Sequence, residues 1–176
     1  MIDEPWVEIW TAYETHLRVM QISEATIETK RWNIDRFFSF LDSLGVRTIH
    51  EVDGSVLERF RQARYEYVNF HGRQDGVLSQ AKYIETVRCF FAWVKKTGRL
   101  AQNPAEDFAL PRLPRRLPKE TLTHQEMKRL FDACDVSNAI GFRDRTILEF
   151  LYSTGLRLKE FGKLDLGDFD LERGTV

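Results

Sequence analysis

The chain has 176 residues, and its 26 lysines and arginines nearly balance its 27 aspartates and glutamates, for a formal net charge of −1. Apolar residues make up 43% of the sequence, which permits a buried core and excludes an intrinsically disordered chain. No apolar run is long enough to span a membrane and the first residues do not form a signal peptide, so we expect a cytoplasmic protein without a membrane partner.

Apolar residues recur at helical spacing along the segment 1–102 and predict four helices. The stripe runs from Trp6 to Leu17 in the first helix and from Ile27 to Leu44 in the second, and two similar stripes follow. The expected caps and stops are Ser23 and Gly45 for the second helix, Asp53 or Ser55 and Gly72 for the third, and Ser79 and Gly98 for the fourth. No stretch alternates strictly enough to predict a sheet, so this segment is predicted to be one small helical domain.

The two cysteines, Cys89 and Cys134, lie far apart in helix-like segments. We expect both to be buried core thiols, which is the usual setting of a free cysteine. There is no CxxC motif and no cluster of cysteines and histidines, so no metal site is expected.

The stretch NPAEDFALPRLPRRLPKE contains four of the five prolines and predicts a linker over residues 103–120. A surface loop within a single domain is the alternative. The basic side chains of this stretch can bind phosphates in a salt-dependent manner, or can simply be solvated in a segment that separates two domains. They are Arg112, Arg115, Arg116 and Lys119.

The remaining segment, 121–176, is predicted to open with a helix capped by a Thr123–Glu126 box. A second helix ends at Gly155, a short third helix follows, and DLGDFDLERGTV has the pattern of a turn that leads into a strand. The positions expected to be buried in the second helix are Ile147, Leu148, Phe150 and Leu151. The segment is short for a domain with its own core, so we expect it to be the beginning of a larger one.

Arg157 follows the helix-ending Gly155 and precedes Glu160 by three residues. A guanidinium stays protonated and can bind phosphate oxygens through two parallel hydrogen bonds. A carboxylate one helical turn away can orient it. The same spacing also occurs in exposed arginine–glutamate pairs, so the spacing alone leaves both interpretations open.

The chain resembles the tyrosine recombinases, the family of phage integrases and Xer-type recombinases. The resemblance is carried by ILEFLYSTGLRLKEFGKLDLGDFDLERGTV, by the opening LPKETLTHQEMKRLFDA, by the basic proline-containing joint and by the helical segment before it. It implies a mainly α fold in three parts. These are a four-helix, SAM-like core-binding domain over 1–102, a linker over 103–120, and the first helices of a truncated α+β catalytic domain over 121–176.

Members of this family cleave DNA with a tyrosine nucleophile, through a 3′-phosphotyrosyl intermediate, and use no metal, ATP or other cofactor. The resemblance implies that Arg157 is the first catalytic arginine and that Glu160 supports the active site, although Phe161 and Gly162 depart from the apolar pair expected next. The family's other catalytic residues lie downstream of this block. The tyrosines of the chain all precede Arg157, and they are Tyr13, Tyr65, Tyr67, Tyr83 and Tyr152, the last of which we expect in the core. We therefore expect that the chain as it stands does not cleave DNA.

In this family, the second and fourth helices of the core-binding domain lie against the major groove. The resemblance therefore implies double-stranded DNA as the partner, bound at the nucleoid, and full-length members act on it as homo- or hetero-tetramers. The matching polar side chains are Ser23, Thr26, Thr29, Lys30, Ser79, Gln80, Lys82, Thr86 and Arg88. For each of them, an ordinary solvated helix face or cap is the alternative.

Two other functions stay open on the sequence. A small helical protein-interaction module would use Trp6, Trp10 and Trp32 as anchors. An inhibitory fragment would occupy recombinase sites, or pair with a full-length recombinase, without cutting DNA.

Overall fold

The structure is a computed structural model that describes residues 4–69, 71–114, 121–170 and 172–175. The chain divides into two compact units, residues 1–115 and residues 116–176. Within the described residues the regular structure is helical, and the β-structure is confined to two isolated bridges, Val68 with Gln74 and Asp170 with Thr175. The prediction of a mainly α fold is confirmed. In the described part of the chain, no helix is both long and apolar enough to cross a membrane.

Four helices build the first unit, and they are α1 (Glu4–Val19), α2 (Glu24–Ser43), α3 (Gly54–Glu66) and α4 (Val77–Lys96). Successive helices are antiparallel, so α2 and α4 run in the same direction. The contacts show this: the rings of Trp32 and Tyr83 lie 5.7 Å apart, and those of Phe38 and Phe90, further along both helices, also lie 5.7 Å apart. The N-terminal ends of α2 and α4 therefore lie at the same end of the bundle.

Aromatic side chains fill the centre of this bundle. Phe37 and Phe38 of α2 and Phe90 and Phe91 of α4 are completely or almost completely buried, and their rings meet edge to face across the two helices. Burial of each such side chain contributes roughly 1.5–3 kcal/mol, so the contact of α2 with α4 is the main source of stability in this unit. Trp6 lies in the same core, where its ring stacks on Phe38 at 4.9 Å.

The ends of α2 lie where the sequence predicts them, whereas the ends of α3 and α4 differ in part from the prediction. Ser23 caps α2 and Asp53, rather than Ser55, caps α3. Gly72 does not end α3, which stops at Glu66, and Ser79 does not cap α4, whose N-cap is Gly76. The reason lies in the connection between α3 and α4, where the Asn69 side chain accepts hydrogen bonds from the backbone N–H groups of His71 and Arg73, and the Asn69 backbone bonds to Gly72 and Arg73.

The first unit extends beyond the boundary at residue 102 that the sequence indicates. Ala105 and Phe108 are buried in the core, with 1% and 3% of their surface exposed. Arg61 holds the segment in place, because its guanidinium lies over the Phe108 ring at 4.8 Å and donates a hydrogen bond to the carbonyl of Ala109 at 2.8 Å. The segment around Phe108, predicted as linker, is therefore part of the packed bundle.

The second unit contains α5 (His124–Asp132), α6 (Ala139–Thr154) and α7 (Leu158–Phe161). The predicted capping box is confirmed, since Thr123 and Glu126 exchange hydrogen bonds at the start of α5. Gly155 ends α6 in the left-handed conformation, with φ 67°, as expected for the residue after a helix. In the segment expected to form a turn that leads into a strand, residues 166–168 form a 3₁₀ turn, and Asp170 pairs with Thr175 only as an isolated bridge.

The expected buried positions of the second unit are only half-buried. Ile147, Leu148, Phe150 and Leu151 all keep part of their surface exposed, because the three described helices do not enclose α6 on every side. Two other expectations of burial are wrong. Tyr152 is 51% exposed, although its ring meets that of Phe131 of α5 edge to face. Cys89 on α4 is exposed, and Cys134, which lies just beyond the end of α5, is half-buried.

We predict that Phe108→Ala destabilises the first unit by about 3 kcal/mol or more, because it leaves a cavity in a packed core. All four tryptophans belong to this unit, so urea unfolding followed by tryptophan fluorescence reports on it alone. Leu113→Ala is the control, since Leu113 is 46% exposed and its loss is expected to change stability by less than about 0.5 kcal/mol. Equal, small effects of both substitutions would contradict a core that extends to Phe108.

Candidate nucleic-acid interface

The polar positions expected to contact DNA lie mainly at one end of the first unit. Because α2 and α4 are parallel, Ser23 and Thr26 on α2 and Ser79 and Lys82 on α4 lie at the same end of the bundle, and all four are exposed. A surface that carries hydroxyl groups, an ammonium group and two helix N-termini is suited to phosphate contact.

On α2, part of the hydrogen-bonding capacity of the hydroxyl groups is already used. The Ser23 hydroxyl accepts from the backbone N–H of Thr26 and shares a 2.8 Å hydrogen bond with the Thr26 hydroxyl. The Thr29 hydroxyl donates to the carbonyl of Ala25 at 2.9 Å, so in this arrangement it can only accept from a ligand. Lys30, which is half-buried, is the basic group of this stretch.

On α4, Gln80 is tied to the preceding turn, because its side-chain amide donates to the carbonyl of Asp75 at 2.8 Å. Lys82 is exposed and projects from the next turn of the helix. Arg88 is half-buried and lies further along α4, where it borders a concave surface together with Glu85 and Cys89. It is therefore separated from the N-terminal end of α4 by about 16 Å of helix.

Thr86 is not available to DNA, and this part of the sequence prediction is wrong. Its side chain is 3% exposed and its hydroxyl accepts a hydrogen bond from the Asn33 amide at 3.0 Å. It also donates to the carbonyl of Lys82 at 2.8 Å. Thr86 and Asn33 thus form a buried polar contact between α4 and α2, and the bond fixes how the two helices meet.

Arg64 is a residue of this region that the sequence did not reveal. It is buried, forms an ion pair with Asp75, and its guanidinium lies 4.2 Å from the ring centroid of Tyr67 and 4.4 Å from that of Tyr83. Burial raises the pKa of the Tyr83 phenol. The signal in the sequence was its spacing, since Arg64 follows Phe60 by four residues and so continues the apolar stripe of α3. Arg64 of α3 thus contacts Tyr83 of α4 and pairs with Asp75, which lies just before α4.

The basic linker is described only in part. Arg112 is exposed. Arg115, Arg116 and Lys119 lie outside the described residues, and their proposed contact with phosphates stays a prediction.

In the second unit, Arg157 and Glu160 form the pair that the sequence indicates. Arg157 comes directly before α7, its guanidinium donates to Glu160 at 2.9 Å, and its backbone N–H donates to the other carboxylate oxygen at 2.8 Å. These two bonds, the backbone bond first, lower the pKa of the Glu160 carboxyl. The Arg157 side chain is 85% exposed. One edge of its guanidinium is thereby oriented by Glu160, and the remaining N–H groups can bind an anion such as a phosphate.

The described residues contain no group of three or more histidine, cysteine or acidic side chains that could hold a metal ion. His124 lies beside Tyr152, with 3.3 Å between its Nδ1 and the phenol oxygen, and both side chains are exposed. This pair does not include Arg157 or Glu160.

Comparison with known proteins shows which family the chain is similar to. Residues 120–176 match the Phage integrase family. Over 163 residues, or 91% of its length, the chain is 31% identical to the tyrosine recombinase XerC 2 of Ralstonia nicotianae, of which it covers 47%. Over 173 residues, or 96% of its length, it is 31% identical to the tyrosine recombinase XerC of Escherichia coli O139:H28 and 30% identical to that of Shigella flexneri serotype 5b, and it covers 55% of each.

The chain is thus similar to tyrosine recombinases over nearly its whole length. It spans about half the length of the curated relatives it matches. No solved structure matches it significantly. The tyrosine recombinase match extends over both units, so the helical bundle and the Arg157 segment belong to one family pattern.

We predict that the Glu160 carboxyl titrates below the ordinary pKa of a glutamate, as measured by carbon-detected NMR. A lowered folded-state pKa means that the stabilisation of the start of α7 is present above the unfolded-state pKa and is lost as the pH falls through the lowered value. Arg157→Ala removes the guanidinium but keeps the backbone N–H, so we expect the pKa to rise only part of the way. An ordinary glutamate pKa in the unmodified chain would contradict the described pairing.

Proposed function

We propose that this chain is the DNA-binding portion of a site-specific tyrosine recombinase. The observation that carries the proposal is the parallel pair α2 and α4, which brings the exposed polar groups of both N-terminal ends to one surface in a chain that is similar to tyrosine recombinases. The basic side chains of the linker add phosphate contacts that are independent of sequence. Duplex DNA is the proposed partner, and the nucleoid is the proposed place of action.

Two classes of contact follow from the chemistry of these residues. Lysine and arginine side chains, with the helix N-termini, bind phosphates and set the register of the protein on the duplex. Ser79 and Gln80 carry the hydroxyl and amide groups that can read base edges in a major groove. Selectivity for a DNA sequence is therefore expected to come from a few α2 and α4 side chains, and most of the affinity from the basic groups.

Arg157 is proposed to bind the phosphate at which the complete enzyme breaks the strand. A guanidinium held by Glu160 can stabilise the negative charge that develops on the phosphate oxygens during transfer. The resemblance implies that the reaction proceeds through a 3′-phosphotyrosyl link, in a homo- or hetero-tetramer, without a metal. Since no tyrosine of this chain follows Arg157, we expect the 176-residue chain to bind DNA and not to cleave it.

A protein-interaction module is the less supported alternative. Two of the three tryptophans proposed as its anchors, Trp6 and Trp10, are 1% and 2% exposed and belong to the core. Only Trp32 is at the surface. An inhibitory role, in which the chain occupies recombinase sites without cutting, is compatible with DNA binding and is separated from it by adding the chain to a recombination reaction.

We predict that the chain binds duplex DNA with an affinity that falls steeply with salt, as measured by fluorescence anisotropy of a labelled duplex. Each neutralised phosphate contributes about 0.9 to the slope of log K against log salt. Arg115→Ala/Arg116→Ala is therefore expected to reduce the slope by about two.

The matched control is Arg143→Ala/Arg145→Ala, which removes the same formal charge from α6. In the folded chain, Arg143 is paired with Asp144 at 2.7 Å and Arg145 with Glu149 at 2.8 Å. We expect the slope of this variant to equal that of the unmodified chain. No binding at low salt, or equal losses in both variants, would refute the proposed role of the linker, and the first result would also refute DNA binding.

A further inference from the structure

Trp32 is exposed, unlike Trp6, Trp10 and Trp93, and its ring is contacted by both Tyr83 and Arg36. The Trp32 ring is 51% exposed, and it stacks on the Tyr83 ring with 5.7 Å between centroids and 20° between planes. The guanidinium carbon of Arg36 lies 3.1 Å from the centroid of the same indole. The Arg36 Nη1 also donates to the carbonyl of Trp32 at 2.9 Å. Arg36 is thus fixed by a ring and by a backbone oxygen.

The charge of Arg36 is not compensated by an ion pair among the described residues. Its neighbour Asp35 faces Arg31, with 3.6 Å between the two groups. Arg64, whose guanidinium lies 4.4 Å from the centroid of the Tyr83 ring, is paired with Asp75. The stack from Arg36 to Arg64 therefore holds two guanidinium groups and one carboxylate, and the free positive charge is at Arg36. Its remaining N–H donors are not used by Trp32 and can bind an anion.

The position of this stack places Arg36 on the proposed DNA surface. Thr29, Trp32 and Arg36 are separated by three and four residues, so they share one face of α2. Tyr83, against which Trp32 packs, directly follows Lys82 on α4. Arg36 thus extends the surface from Thr29 along the line where α2 and α4 meet, by about 10 Å.

We propose that Arg36 binds a DNA phosphate and that Trp32 is its positioning residue. The inference rests on the proposed function, because it names a further phosphate contact of the same interface. A guanidinium already confined by an aromatic ring loses little side-chain freedom on binding, which favours the bound state. Arginine suits the position better than lysine, because its planar group can stack on the ring and still present N–H donors at its edge.

Arg36→Ala tests the contact, with Arg99→Ala as a matched control. Arg99 also lies over a tryptophan, with its guanidinium carbon 5.0 Å from the Trp93 ring, but near the other end of α4. Both substitutions remove one charge and one cation–π contact. We expect Arg36→Ala to weaken duplex binding by about tenfold and to reduce the slope of log K against log salt by about one. Arg99→Ala is expected to leave both quantities unchanged.

The variant Trp32→Ala distinguishes the effect of positioning Arg36 from the effect of its charge. This variant keeps the Arg36 charge but removes the ring that orients it, so we expect weaker binding with little change in the salt slope. Trp32→Phe restores an aromatic face and is expected to recover most of the affinity. Thermal unfolding by circular dichroism confirms that each variant is folded, and Trp32 is exposed enough for both to be tolerated.

The outcomes distinguish this site from the proposed function. If the unmodified chain binds duplex DNA but Arg36→Ala and Arg99→Ala have the same affinity and slope, Arg36 is not a phosphate contact and the DNA-binding function stands. If Trp32→Ala binds as the unmodified chain does, Trp32 does not position Arg36. If the unmodified chain does not bind duplex DNA even at low salt, the proposed function and this site both fail.

Discussion

The parallel packing of α2 against α4 is the contact on which the rest of the structure depends. Phe37 and Phe38 meet Phe90 and Phe91 in a dry aromatic layer, and burial of these rings supplies most of the free energy that holds the pair together. Aromatic packing alone tolerates small shifts of one helix along the other. The buried hydrogen bond of Asn33 to a threonine of α4 removes that freedom, since any shift would leave polar atoms unpaired in the core. The same contact brings the N-terminal ends of α2 and α4 to one end of the bundle.

A chain with a net charge of −1 can still present a cationic surface, because its acidic groups are used locally. Arg18 of α1 is bound by Glu14 and Glu24, and on α6 Arg145 is bound by Glu149. Arg36, at the junction of α2 and α4, has no such partner among the described residues. The electrostatic field that acts on a bound polyanion such as DNA depends on which charges remain uncompensated and where they lie. The net charge of the chain does not describe that field.

Many helix ends could be predicted because hydrogen bonds and backbone conformations within one turn of the chain decide where a helix begins and ends. Ser23, Gly155 and the Thr123–Glu126 box act within one turn of the chain, so their sequence signals are sufficient. The errors about Thr86 and Phe108 arise because contacts between residues distant in the sequence decide whether these side chains are buried. Threonine is a residue type that is common at the surface. Thr86, however, is hydrogen-bonded to Asn33, which is 53 residues away in the sequence. The packing of Phe108 under Arg61 likewise depends on a contact between distant segments, although the proline-rich composition around it is typical of a linker.

The end of the bundle at which α2 and α4 begin is the proposed DNA-binding surface. The most direct measurement is a titration of the isotope-labelled chain with a short duplex, followed by amide and side-chain NMR shifts. We expect the largest changes over residues 23–36 and 79–83 and at Arg112, with little change along α1. Changes concentrated on α1 and around Trp6, with residues 23–36 and 79–83 unaffected, would contradict it.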